Sequence, residues 1–158
     1  MLRLVAWLGE NRMDGWDEVM RRVETEKYRQ AVAKAARHGI ENSLAWHTLG
    51  VWTEEGKERI GCFARALACV RAEAAAQPAA NPQTAWTYTH METDSLYEIA
   101  RVHAHEGAPE AARRFLEAAL PIAQRADALR VAAKLKDTQD IEGKVAALLL
   151  QLPDAENP

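Results

Sequence analysis

Two histidine–carboxylate pairs are the residues whose types could do chemistry. His103 and Glu106 stand three apart, and His90 and Asp94 four apart, so each pair falls on one face of a helix. Imidazoles and carboxylates on facing helices can converge on a metal ion in a bundle. A helical-bundle metalloenzyme built on His90, Asp94, His103 and Glu106 is therefore one reading of the chain, and the weaker one. His105 lies two residues from His103, on nearly the opposite face, so these two histidines cannot chelate one ion together. The order of the pairs also differs from the Glu-x-x-His of di-iron bundles, which occurs nowhere in the sequence. His103 reads instead as a core position and His105 as a solvated one.

Other reactive groups point the same way. Cys62 and Cys69 are seven apart on one apparent helix. That is about 10 Å along a straight helix, too far for a disulfide. They read as small buried apolar residues in a reducing compartment. No Ser, Thr or Cys nucleophile has a visible base, and the glycines fall at helix ends rather than in a phosphate loop. The sequence predicts no enzyme, no catalytic residue, no resident metal and no cofactor. A formal net charge of −3, with local basic clusters such as Arg21-Arg22 and Arg113-Arg114 that are short, predicts no nucleic-acid partner. The apolar run at the N-terminus lacks the features of a secretory signal. No stretch reaches the roughly 18 apolar residues that span a bilayer. A cytoplasmic protein without a membrane partner is expected.

The elements that would carry these residues are helices. About a fifth of the chain is alanine, the best helix former, and period-two runs of β-branched residues are missing. The expected class is all-α, with antiparallel helical hairpins stacked as a short, irregular solenoid or a bundle. A short helix is expected over 2–9, then one helix or two over 14–38 ending at Gly39. Asn42 or Ser43 is placed to cap a helix that carries Trp46 and Leu49 and stops near Gly56. The next helix spans about 57–77, and Pro78 to Pro82 is the clearest loop. Residues 82–106 form one helix or two, since Ser95 with Glu98 fits a capping box. Gly107 and Pro109 mark a turn, followed by helices over about 109–125, 127–136 and 138–151. The whole is expected as one domain: a helical cap over 1–41, hairpins over 42–152 and a tail over 153–158.

The stretch from Leu96 to Leu120 carries a recognisable pattern. Leu96, Ile99-Ala100 and His103 fall on the first helix, Gly107 at the turn, and Ala112, Leu116 and Ala119-Leu120 on the second. This resembles a tetratricopeptide repeat, W-x2-L-G-x2-Y followed by A-x3-F over 34 residues, with His103 in place of the tyrosine and no terminal proline. A second stretch, Trp46-x2-Leu49-Gly50 with Phe63 and Ala66-Leu67, resembles an abbreviated copy. Gly50 and Ala100 stand 50 residues apart rather than 34, so the repeats are irregular. Residues around Leu129, Ala132-Ala133 and Ala147-Leu148 resemble a faint third copy.

The resemblance implies a protein- or peptide-binding module, an adaptor or a client-specific chaperone, that uses the outward positions of first helices. Carried over position by position, these are Tyr97, Arg101 and His105 in the best copy, and His47, Val51 and Glu54 in the abbreviated one. A toxin-neutralising immunity protein would use the same kind of binding, and self-association is also compatible. The Lys and Asn clamp that some members of the family use for a C-terminal carboxylate has no counterpart here. Of the five tryptophans, Trp52 and Trp86 lie beside expected helix ends and are the candidates for an exposed partner patch.

Overall fold

The computed structural model describes residues 26–27, 30, 40–77, 81–136 and 140–154. The helix expected over 2–9 and most of that over 14–38, with Trp7, Trp16 and Gly39, lie outside them. Glu26, Lys27 and Gln30 are helical. The described elements are α1 (Ile40–Trp52), α2 (Gly56–Ala76), α3 (Pro82–His105), α4 (Pro109–Ala132) and α5 (Ile141–Gln151). Among the described residues there is no strand, and no helix is long and apolar enough to cross a membrane. The fold is all-α and built of antiparallel hairpins. Packing groups the chain into two compact units, Met1–Glu73 and Ala74–Pro158.

In the first unit α1 and α2 form a hairpin across Thr53-Glu54-Glu55. Its order of contacts is antiparallel. Gly50 faces Phe63, Arg65 lies 4.6 Å over the Trp46 ring, and the Ser43 hydroxyl donates to the Ala66 carbonyl at 2.7 Å. Ala45, Trp46, Leu49 and Trp52 close on Cys62, Ala66 and Cys69 in one apolar cluster. Gly50 is needed for this approach, because a Cβ there would sit 2.7 Å from the Phe63 ring. The Thr53 amide and hydroxyl both donate to the Leu49 carbonyl, at 3.0 and 2.7 Å, and end α1. The Glu55 carboxylate accepts from the Glu58 amide at 2.7 Å and so caps α2.

Two expectations change here. Ser43 does not cap a helix: α1 already runs from Ile40, and the buried hydroxyl is used between helices. Trp52 is not exposed. It is 8 % accessible because the last turn of α1 still faces the hairpin core.

In the second unit α3 and α4 form a longer hairpin, and α5 packs on both. Asn81 caps α3 through its side-chain oxygen, which accepts from the Thr84 amide at 2.9 Å, with Pro82 opening the first turn. The helix then continues unbroken for 24 residues. The capping box at Ser95 and Glu98 is not used, since both side chains lie buried in mid-helix. Thr89 and Thr93 also sit in the interior. Their hydroxyls return to the carbonyls of Ala85 at 2.9 Å and Thr89 at 2.8 Å, which satisfies them without a break.

The α3–α4 turn is a left-handed helix stop. Gly107 has φ +77°, its amide donates to Ala104 at 3.2 Å, and the Ala108 amide donates to His103 at 2.9 Å. The end of α4 repeats this geometry with a lysine. Lys134 has φ +56°, its amide reaches Val131 at 3.0 Å, and the Leu135 amide reaches Arg130 at 3.0 Å. The two positions predict opposite outcomes. Gly107→Ala should cost about 1–2 kcal/mol, the left-handed penalty of a side chain. Lys134→Gly should gain up to about 1 kcal/mol. Denaturant midpoints at unchanged slope would check both, and equal signs would refute the assignment.

α4 also departs from expectation. It is one helix to Ala132, so no separate helix spans 127–136. Nothing between Arg125 and Ala132 stops it, as that run holds three alanines and neither glycine nor proline. Pro121 sits inside it, where proline ordinarily costs about 3 kcal/mol or more. Both Pro121 and Glu117, whose carbonyl loses its partner, stand at exposed positions, where water can take over the bond. Asp140 caps α5, its carboxylate accepting from the Gly143 amide at 3.1 Å. The helix docks through Ile141, Val145 and the following Leu152. Arg113 ties down the start of the expected tail by donating to the Pro153 carbonyl at 2.9 Å.

Candidate partner-binding surface

The Leu96–Leu120 pattern is realised in packing. Leu96, Ile99 and Ala100 of α3 and Ala112, Leu116 and Ala119 of α4 are each at most 2 % exposed. Small residues at Ala100, Ala112 and Ala119 let two helices close on Leu96, Ile99 and Leu116. His103, at the position where a tyrosine was expected, stacks on Phe115 with ring centroids 5.5 Å apart and is half-buried. Each helix has 24 residues, so the pair overruns a 34-residue unit. The likeness is confined to the half of the hairpin nearest the turn. The hairpin is compatible with a helical repeat at that level.

With this face inward, the other side of α3 presents Tyr97, Arg101 and His105 at four-residue intervals. Arg101 is 52 % exposed and donates to Glu98 at 3.2 Å, whose carboxylate is mostly buried. One turn back, Tyr97 is half-buried. Burial pushes its phenol above the usual range; the Arg101 charge pulls it back, and Glu98 and Asp94 push it further up. The phenol therefore keeps its proton at neutral pH and can donate. His105 is exposed in the last turn.

The continuity of α3 adds a residue that sequence reasoning had kept apart. Trp86 stands 11 residues before Tyr97, close to three full turns, and so on the same side of the helix. It is half-buried and stacks on His90 with centroids 5.0 Å apart. The stripe from Trp86 to His105 is about 28 Å long. The 11-residue spacing was a signal for it, but only if no helix start intervenes at Ser95.

The first unit holds His47, Val51 and Glu54. His47 is half-buried, with its ring edge-on to Phe63 at 5.1 Å between centroids, so it is engaged with α2. Val51 is 49 % exposed on α1. Glu54 is exposed in the connection beyond the end of α1, not on a helix face.

The residues first singled out for chemistry do not assemble. One straight helix separates His90 from His103 by about 20 Å, so the two pairs cannot converge on one ion. Among the described residues, no three His, Cys, Asp or Glu side chains are grouped to hold a metal. Cys62 and Cys69 are both buried and form no disulfide. Burial pushes the Cys69 thiol up, away from the reactive thiolate. Comparison of the chain with protein-family models, with curated proteins and with solved structures returns no match, so the assignment of this surface rests on its own geometry.

Proposed function

We propose that the chain is a protein- or peptide-binding module, an adaptor or a client-specific chaperone, with Tyr97, Arg101 and His105 of α3 as its contact row. The observation that supports this is the division of labour on α3. Its inward side is spent on an alanine-mediated interlock, while its outward side carries an aromatic, a guanidinium and an imidazole in register. Tyr and Arg are the residue types that most often anchor protein interfaces. Tyr supplies a rigid amphipathic ring, and Arg a planar guanidinium that Glu98 holds at one terminal nitrogen, leaving its other N–H donors to grip a carboxylate.

The test compares the native chain with a Tyr97→Ala, Arg101→Ala, His105→Ala variant as baits in native cytosol. Circular dichroism must first show both equally helical. Arg101 is half-exposed but its partner Glu98 is mostly buried, so removing the guanidinium leaves that carboxylate without this partner, and the circular dichroism comparison comes before any reading of binding. A stoichiometric protein partner should be held by the native bait and weakened about tenfold or more in the variant, the effect of roughly 1.4 kcal/mol. Equal capture by both baits, or no partner for a fully soluble native bait, would overturn the proposal. The nature of the captured protein separates an adaptor or chaperone from a toxin-neutralising protein.

A further inference from the structure

We draw no further inference here: the strongest candidate, the exposed strip of Gly61, Ala64, Ala68 and Ala72 on α2 flanked by Lys57 and Arg65, is a run of small residues, and nothing in the structure shows what covers it.

Discussion

Replacing Phe63 by alanine is expected to destabilise the protein by about 3–5 kcal/mol, the cost of deleting a buried aromatic ring and leaving its cavity. Phe63 is fully buried, lies against the α-carbon of Gly50 and takes the edge of the His47 ring. The partner glycine gives a second handle. Gly50→Ala gains up to about 1 kcal/mol of helix propensity but forces a methyl into the ring, an overpacking cost of about 1–3 kcal/mol. Trimming the ring with Phe63→Leu should relieve part of that cost. The two changes should then be less damaging together than their sum, with a coupling of about 0.5–3 kcal/mol. Denaturant unfolding of the four proteins measures the cycle. Strict additivity would show that the ring and Gly50 do not meet in solution, and a Phe63→Ala cost below about 1 kcal/mol would show that the α1–α2 hairpin is not packed as described.

The second large effect is expected at Leu116, with Leu150 as its control. Both are helical leucines, but Leu116 is 0 % exposed on α4 while Leu150 is 88 % exposed on α5. Leu116→Ala should cost about 2–5 kcal/mol and Leu150→Ala no more than about 0.5 kcal/mol. The same experiment bears on function. Leu116 lies on the inward side of the α3–α4 hairpin and touches no partner in the proposed mode. Its variant should therefore bind normally wherever it is still folded, unlike the variant of the outward row. Similar losses at Leu116 and Leu150 would mean that the α4 core is misassigned.

How far the sequence could be read varies from element to element. The interlock around Gly107 was open to sequence reasoning, because it follows from local rules: apolar positions three and four apart, small residues at the closest approach, and a glycine where φ must be positive. The same holds for Asn81-Pro82 at the start of α3. The pairing of Trp46, Leu49 and Gly50 with Phe63 and Ala66 was also visible, although the reason for Gly50 was only a pattern until the ring was seen against it.

Other features were out of reach for equally physical reasons. Ser95 and Glu98 have the same spacing whether they cap a helix or lie within one. The choice between these depends on what the rest of α3 packs against, which is a tertiary matter. The end of α4 carries no glycine, since Lys134 takes the left-handed conformation at a local cost that the surrounding packing offsets. Trp52 lies beside a helix end, and only the hairpin partner decides whether that end is covered.

The sequence by itself determined that the protein is all-α, where its clearest turn falls, and which faces of α3 and α4 turn inward. These are properties of neighbours within a few residues, governed by helix periodicity and backbone stereochemistry. Tertiary structure alone decided that α3 and α4 are each continuous, that Ser43 serves a neighbouring helix, and that Trp86 shares a side with Tyr97. It also separated the two histidine pairs and so withdrew the metal site they suggested. Each of those outcomes turns on free energies of burial between distant residues, which one chain read in order does not contain.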